Sequence, residues 1–267
     1  MYRTVIVPLD GSAVAERALG PATVLAHHLG AELQLLRVVA RREELDRARA
    51  ALDEVAAAVD VPVRPAYVLE ADWPAECIAN AGDEADSLLC LSSHGAGGVR
   101  QAVLGSVAED VLRLSARPVL VVGPAAEPTL ELTRAALVCV DGSTLSEEVL
   151  PVASTWAQTT GMTPWVVTVI EPDLTAAAAG DVLESAYVRQ IADRLGGSFD
   201  VLHGSHPHEA IVGFARSLPA GVITMATHGK TGLARVVAGS VAMGVVRHAP
   251  CPVLLVRPSD LGRDDGS

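Results

Sequence analysis

Lysine and aromatic residues are both scarce in this chain of 267 residues. Lys230 is the single lysine, and aromatic residues make up 3% of the sequence, so the core must be built from valine, leucine, isoleucine and alanine. Arginine supplies the remaining positive charge. The formal net charge of −12 argues against nucleic acid or an anionic membrane as the main partner.

Long apolar runs and clustered cysteines are also missing. No run approaches the ~20 residues that span a bilayer, and the first residues, MYRTVIVPLDGS, lack the apolar stretch and cleavage site of a signal peptide. We therefore expect a soluble cytoplasmic protein. The cysteines are widely spaced without a CxxC pair, so we expect buried, reduced thiols and no metal site at Cys77, Cys90, Cys139 and Cys251.

The sequence contains an internal repeat. Residues 92–122, SSHGAGGVRQAVLGSVAEDVLRLSARPVLVV, align without a gap with residues 226–256, ATHGKTGLARVVAGSVAMGVVRHAPCPVLLV. Upstream, VIVPLDGSAVAERAL matches ALVCVDGSTLSEEVL and places Asp10 over Asp141. The repeat predicts one domain at 1–124 and a second at 134–260. We expect a Pro/Ala-rich linker at 125–133 and a polar tail at 261–267.

Strand and helix signals alternate within each half. In the first half, apolar runs such as RTVIVPL, ELQLLRVV and DSLLCLS predict buried strands, and the segments between them predict helices. Continuously apolar strands that alternate with helices indicate a parallel sheet covered on both faces. We therefore expect an α/β fold with two tandem doubly wound domains, each a five-stranded parallel sheet with helices on both faces.

The repeated loops supply groups that bind a polyphosphate. Ligands of doubly wound sheets lie beyond the carboxyl ends of the strands, where Asp10 follows the first predicted strand and His94-Gly95 follow the fourth. After nine further residues, Gly105-Ser106 opens the last predicted helix of this half. A glycine loop exposes backbone N–H groups, and a helix N-terminus adds unpaired N–H groups and a partial positive charge.

The second half repeats this arrangement at Asp141, His228-Gly229 and Gly239-Ser240. Its loop also contains Gly-Lys-Thr, but the P-loop pattern needs a further glycine where the chain has Thr224, inside a predicted strand. The lysine and threonine of this loop have no counterpart in the first half. The Gly-Lys-Thr sequence therefore belongs to the repeated loop and not to a P-loop.

With these motifs the chain resembles the universal stress protein family over essentially its whole length, in two copies. The family pattern is G-x-x-G, nine residues, G-[S/T]. The two halves read SSHG-x9-GS and ATHG-x9-GS, with Ser92 and Ala226 in place of the first glycine. The resemblance implies adenine-nucleotide-binding domains of the adenine-nucleotide α-hydrolase-like fold, acting as a regulatory or sensor module in stress response without efficient turnover.

The resemblance also implies where ATP, accompanied by Mg²⁺, is bound. In the first half the adenine lies near Val38, the sugar near Asp10, and the phosphates near a group formed by Gly95, Gly105, Ser106 and Val107. In the second half the corresponding residues are Val169 for the adenine, Asp141 for the sugar, and Gly229, Gly239, Ser240 and Val241 for the phosphates. The loop histidines, His94 and His228, are candidates for a phosphate contact.

Simpler structural roles remain open for several of these residues. The two aspartates can cap the helix that follows them, and each Gly-Ser pair can form a turn and a cap. The loop histidines can orient their loops through a hydrogen bond, and Lys230 can be a solvated loop residue. The histidines of HGSHPHE resemble a metal cluster, but a strand end that leads into a helix explains them, since the first half reads VLEADWPAE there.

Two other functions compete with nucleotide sensing. One is an interaction protein of the same fold that binds no nucleotide. The other is an enzyme, such as an ATP pyrophosphatase, a nucleotidyl transferase or a weak ATP hydrolase. Pyrophosphatases and transferases of this class need a SGGxDS-type loop or a HIGH-type motif, and neither PLDGSAVAE nor CVDGSTLSE contains one.

The last strand of each half, PVLVV and PVLLV, is apolar. An exposed apolar edge invites strand pairing, and a second copy in the same chain is present at high effective concentration. We therefore expect the two halves to form a pseudo-dimer through these strands, and a homodimer of tandem chains is a further expectation.

Overall fold

The structure is a computed structural model that describes residues 2–95, 104–171, 177–228 and 239–258, without the side chains of residues 65–67 and 177–183. The chain divides into two units, Met1–Pro124 with Pro128–Leu130 and Ala125–Glu127 with Glu131–Ser267. The division falls within the segment for which the sequence predicts a linker.

The first unit alternates strands with helices as the sequence predicts. Its strands are β1 Thr4–Pro8, β2 Glu32–Val39, β3 Val63–Glu70, β4 Ser87–Ser92 and β5 Val119–Val122. Its helices are α1 Leu19–Leu29, α2 Leu45–Ala58, α3 Pro74–Gly82 and α4 Ser106–Leu114, with short 3-10 turns at Ala15–Ala18 and Arg42–Glu44.

The second unit follows the same order. Its strands are β6 Ala135–Cys139, β7 Pro164–Ile170, β8 Ser198–His203, β9 Ala220–Ala226 and β10 Val253–Val256. Its helices are α5 Thr144–Glu147, α6 Val149–Thr160, α7 Ala177–Leu195, α8 Pro207–Ser217 and α9 Ser240–His248. The doubly wound α/β fold predicted for both halves is therefore confirmed.

The strand order of the first unit creates a gap for a ligand. The order is β3-β2-β1-β4-β5, and the described pairs are parallel. The chain runs outward from β1 to β2 and β3, then returns to place β4 on the other side of β1. At this switch point the connections after β1 and β4 diverge to opposite sides, which leaves a crevice at the carboxyl edge. The second unit has the equivalent order β8-β7-β6-β9-β10.

Aliphatic side chains fill the interior of both units, as the scarcity of aromatic residues requires. The strands β4 and β9, which lie inside the strand order of their units, are buried along their whole length, as is typical of parallel strands covered on both faces. In the second unit, α6 and α7 pack their valine, leucine and isoleucine side chains on β6 and β7. Trp156 is the one fully buried aromatic side chain among the described residues.

Two helices end at glycines that adopt the left-handed conformation. Gly30 follows α1 with φ of 61°, and Gly161 follows α6 with φ of 73°. A glycine tolerates this conformation because it has no Cβ. In both places the chain reverses at once into the next strand. No helix among the described residues is both long and apolar enough to cross a membrane.

The cysteines are free thiols, and most of them are in the interior of the fold. Cys90, Cys139 and Cys251 are buried, and Cys77 is partly buried. Burial raises the pKa of the Cys90 thiol to about 12, and it raises that of Cys251 to a similar value. These two thiols therefore stay protonated near neutral pH and act as small apolar groups.

The hydroxyl of Thr224 on β9 is fully buried, and within the described part of the chain it has no hydrogen-bond partner. An unsatisfied buried hydroxyl costs about 1–3 kcal/mol. Thr224→Val keeps the shape and removes that cost, so we expect the free energy of unfolding to rise by about 1 kcal/mol in urea denaturation.

Thr160 provides a matched control for this substitution. It is equally buried, but its hydroxyl donates to the Trp156 carbonyl over 2.8 Å. Thr160→Val should therefore lower the free energy of unfolding by about 0.5–1.5 kcal/mol. If both variants lose the same stability, the hydroxyl of Thr224 is satisfied and our interpretation is wrong.

Candidate functional site

A cavity of about 500 Å³ lies at the carboxyl edge of the first sheet. It is lined by the ends of β1, β2 and β4 and by the first turns of α3 and α4. All seven residues that the family resemblance implies for the first half line this cavity: Asp10, Val38, His94, Gly95, Gly105, Ser106 and Val107. The fold thus brings together residues that are almost 100 positions apart in the sequence.

Asp10 links the loop after β1 to the loop after β4. Its Oδ1 accepts a hydrogen bond of 2.9 Å from the backbone N–H of Ser12. Its Oδ2 occupies the space next to the Cα of Gly95, where any side chain would collide with it. Gly95 is therefore required for close approach and not for an unusual backbone conformation.

Helix capping explains part of the role of this aspartate. The side-chain oxygen of Ser12 accepts from the N–H of Ala15, so the serine caps the turn and the aspartate orients the serine. Asp10 is nevertheless exposed and lines the cavity. Its carboxylate can therefore serve the turn and still face a ligand.

The first turn of α4 faces the cavity with its backbone N–H groups. Gly105 is the N-cap residue in an extended conformation, with φ of −71°, and no side chain in the described part of the chain caps this helix. Ser106 is the first helical residue and not the cap, so its hydroxyl is not used for capping. Ser106, Val107 and Ala108 all line the cavity, and uncapped N–H groups at a helix N-terminus attract anions.

His94 makes a loop-orienting hydrogen bond. Its Nδ1 lies 3.0 Å from the hydroxyl of Ser93, which is 1% exposed. The backbone of Ser93 is also tied down, since its N–H donates to Val122 and its carbonyl accepts from the N–H of Gly105. The imidazole ring therefore has a fixed position on the cavity wall.

Part of the cavity wall is apolar. It includes Leu36 and Val38 at the end of β2, and Pro74 and Ile78 on α3. The cavity thus offers backbone donors at the start of α4 together with aliphatic side chains. Sequence reasoning missed the contribution of α3, although Pro74 at the start of a predicted helix after a strand could have indicated it.

The second half forms the same turn with more hydrogen bonds. Oδ1 of Asp141 accepts from the backbone N–H of Ser143 over 3.0 Å and from its hydroxyl over 2.6 Å. The Ser143 oxygen also accepts from the N–H of Ser146 and caps α5. Capping therefore belongs to the serine here too, and Asp141 holds it in place.

The loop after β9 matches the loop after β4. Thr227 donates its N–H to Val256 and accepts from the N–H of Gly239 over 2.6 Å, and its hydroxyl lies 3.1 Å from Nδ1 of His228. Gly239 is the N-cap of α9 with φ of −61°, again without a side-chain cap in the described chain. Ser240 and Val241 begin this helix. Gly229 and Lys230 lie outside the described residues.

Tyr187 is a residue of the second half that sequence reasoning missed. Its hydroxyl donates to Oε1 of Glu147 over 2.9 Å. Burial, this hydrogen bond, and the negative charges of Glu147, Asp141 and Glu184 all raise the pKa of the phenol above its usual value. The first half has no tyrosine in the corresponding helix, α2, so the repeat did not reveal it.

Ser92 and Ala226 replace the first glycine of the family pattern without distorting the loops. They are the last residues of β4 and β9, where they pair with Val122 and Val256. Both are buried, and Ser92 lines the cavity. A small side chain is compatible with a strand end, and the described loop residues that follow, Ser93 and Thr227, make the same backbone hydrogen bonds in both halves.

The histidines of HGSHPHE lie where a strand leads into a helix, as the sequence predicts. His203 ends β8, and His206 is the N-cap of α8. The rings of His206, His208 and His248 form a row with centroids 6.4 and 6.0 Å apart. Among the described residues, no group of three or more side chains is placed to hold a metal ion.

Gly95→Ala tests the contact between the two loops. Because the added methyl group collides with the carboxylate of Asp10, we expect urea denaturation to show a loss of about 1–3 kcal/mol. Asp10→Ala in the same chain should restore part of that loss, since contacting residues show coupling energies of about 0.5–3 kcal/mol.

Gly105→Ala is the control for this loss. A Cβ at Gly105 lies at ordinary contact distances of 3.5 Å or more from its neighbours, so stability should change little. Additive effects of Gly95→Ala and Asp10→Ala would show that the two loops are not coupled through this contact.

A sequence profile described as the Universal stress protein family matches residues 1–123 and again residues 133–257. A universal stress protein of Thermus aquaticus is 31% identical over 138 residues, which cover 46% of this chain and 99% of that protein. A universal stress protein of Methanocaldococcus jannaschii is 51% identical over 51 residues, 19% of this chain and 30% of that protein.

Solved structures resemble the whole chain. A universal stress protein from Archaeoglobus fulgidus superposes with a TM-score of 0.67 at 23% identity, covering 96% of this chain and 99% of that one. A protein of unknown function from Pseudomonas aeruginosa gives a TM-score of 0.69 at 19% identity, covering 97% and 94%. These structures share the fold. Because the family profile matches both halves, the chain belongs to the universal stress protein family as a tandem, two-domain member.

Proposed function

We propose that this protein binds ATP together with Mg²⁺ and acts as a regulatory or sensor module in stress response. One observation carries the proposal. The cavity of the first half joins a helix N-terminus and a glycine loop, which suit phosphates, to an apolar wall that suits a purine base. Its volume of about 500 Å³ lies within the range of small-molecule sites.

The charges around the cavity support a role for the metal. Asp10 and Glu109 line it, and the protein carries a formal net charge of −12. A polyphosphate brought beside these carboxylates is repelled unless a cation lies between them. The position of the Asp10 carboxylate between the two loops supports a role in sharing a divalent ion with the phosphates. Oxygen ligands of this kind suit Mg²⁺.

The absence of efficient turnover is part of the proposal. Ser93 and His94 are within hydrogen-bonding distance, but the Ser93 side chain is buried and cannot reach a ligand in the cavity. The other described hydroxyls of the lining are those of Ser92 at a strand end and Ser106 at a helix start. This arrangement supports binding more than nucleophilic attack.

The second half supports the same proposal through its matching loop. The contact of Gly239 with Thr227 and the uncapped start of α9 repeat the first half. We therefore extend nucleotide binding to both halves. A cytoplasmic location, a pseudo-dimer formed through the last strands and a homodimer of tandem chains stay predictions.

Calorimetry with Mg-ATP tests the function directly. We expect saturable heat with magnesium and a weaker response when EDTA removes it, because the carboxylates then face the phosphates without a cation. Mass spectrometry of ligand released from freshly purified protein should detect an adenine nucleotide. Neither heat nor a thermal shift at millimolar Mg-ATP would favour an interaction protein that binds no nucleotide. Rapid phosphate or pyrophosphate release would instead indicate an enzyme.

Substitutions at the two helix N-termini test the phosphate assignment. Gly105→Glu and Gly239→Glu place an anion beside the phosphates, so each should abolish binding in its own half. Both glycines have negative φ values, so the backbone accepts a side chain and thermal unfolding should change little.

Ser106→Ala combined with Ser240→Ala is the gentler change. Each removes one donor to a charged oxygen, a loss of about 1.5–3 kcal/mol, which weakens binding about tenfold or more. Because neither serine caps its helix, stability should not fall. An unchanged affinity in this double variant would contradict the phosphate assignment.

A further inference from the structure

Trp73 is unusual because a large aromatic side chain is left in solvent. It is 66% exposed, and within the described residues it makes no hydrogen bond or ring contact. It is the N-cap residue of α3, but its side chain caps nothing. Neither packing within the chain nor helix capping explains the position of this tryptophan. Its exposure in this position indicates a contact that the free protein does not contain.

The exposed apolar surface is concentrated around the cavity of the first half. Among the described residues, the large apolar side chains that are exposed are Val14, Trp73 and Val107. Val107 lines the cavity, Val14 precedes the lining residue Ala15, and Trp73 precedes the lining residue Pro74. Exposed apolar groups on or next to the lining residues of a cavity are typical of a binding surface.

Trp73 directly precedes Pro74, which lines the cavity at the start of α3. The N–H of Ala71 donates to the carbonyl of Val39 over 3.0 Å, which holds the segment after β3 against the end of β2. Val38, the preceding residue of β2, lines the cavity, and so do Pro74 and Ile78 of α3. A ligand whose phosphates meet the start of α4 would leave its planar, less polar part to the wall formed by these three residues, next to Trp73 in the chain.

The second half repeats this feature with a different ring. Gly204 donates its N–H to Ile170 as Ala71 does to Val39. His206 then takes the backbone conformation of Trp73, with φ and ψ of −128° and 93° against −121° and 84°, and a proline follows each residue at the helix start. An aromatic ring is thus placed at the same point of both units, although neither ring caps its helix.

We propose that Trp73 is a base-contacting residue whose indole stacks on the purine of the nucleotide bound in the first half. The inference rests on the proposed function and adds a residue that fixes the base at the mouth of the cavity. Stacking between a base and an aromatic side chain accounts for a ring that is exposed in the free protein and becomes covered on binding.

The test uses the full chain carrying Gly239→Glu, so that binding to the first half alone is measured. Calorimetry compares this parent with Trp73→Ala and Trp73→Phe, using two probes: Mg-ATP, and magnesium tripolyphosphate, which has no base. We expect Trp73→Ala to weaken Mg-ATP binding about fivefold or more and to leave tripolyphosphate binding within about twofold. Trp73→Phe keeps a ring and should stay within about threefold for both probes.

Tryptophan fluorescence gives a second measurement. Trp73 is the one tryptophan of the first half, and Trp156 and Trp165 belong to the second. Excited at wavelengths where ATP does not absorb, the parent should show quenched emission on adding Mg-ATP, and Trp73→Phe should not. Trp165→Phe is the matched control, since Trp165 belongs to the second unit, where it bonds to Asp200, and its quenching should persist.

The outcomes separate the inference from the proposed function. If the wild-type chain does not bind Mg-ATP, the proposed function is wrong and the inference falls with it. If the wild-type chain binds but the Gly239→Glu parent does not, the first half binds no nucleotide, so both the inference and the assignment of the site to the first half are wrong. If Trp73→Ala binds Mg-ATP as tightly as that parent, only the inference is wrong. Equal losses for both probes would show a structural role and would also overturn it.

Discussion

Two backbone hydrogen bonds determine where the helix N-terminus of the candidate site lies in each unit. In the first half Ser93 donates to Val122 and accepts from Gly105, so the chain must leave β4 and return to begin α4 at one point. Thr227 makes the same pair of bonds with Val256 and Gly239 in the second half. Because these bonds anchor the helix start at the switch point of the sheet, the N–H groups of its first turn face the crevice. The other residues of the site lie around this helix start.

The short distance between the loops explains why glycine is needed at these positions. At Gly95 the neighbouring space is filled by the carboxylate of Asp10, and a side chain would separate the two loops. Gly105 has room for a Cβ, but it leaves the helix start without a side-chain cap and so leaves its N–H groups to a ligand. The two glycines therefore differ in role: Gly95 allows close packing of the loops, and Gly105 leaves the first N–H groups of the helix uncapped.

The two halves share the backbone arrangement of the site and differ in its side-chain contacts. Both halves use an aspartate to hold a serine that caps the next turn, but Asp141 also accepts from the serine hydroxyl. Tyr187 and Glu147 add a hydrogen bond close to Asp141 in the second half. The ring that precedes the proline changes from Trp73 to His206. We therefore expect the two halves to differ in affinity for the base more than for the phosphates.

The sequence by itself determined the fold and most of the candidate site. Apolar strands such as VIVPL and LLCL, alternating with helices, predict a parallel sheet. The repeat strengthens this prediction because the same pattern occurs in both halves. Asp10, Gly95 and Gly105 could be predicted because they follow strands whose carboxyl ends meet at one edge, and because the family pattern contains these glycines. Each of these signals lies within a short stretch of sequence or occurs in both halves, so it can be recognised without the tertiary structure.

Only the tertiary structure decided which surfaces complete the cavity. Pro74 and Ile78 belong to a helix whose sequence is typical of packing, and their place on the wall depends on how α3 lies across the ends of β1 and β2. Likewise Gly105, and not Ser106, proved to be the N-cap, because the bond to Ser93 fixes the first helical residue. Contacts between segments far apart in the chain leave no periodic signal, so the sequence could not give the distance between Asp10 and Gly95 or the exposure of Trp73.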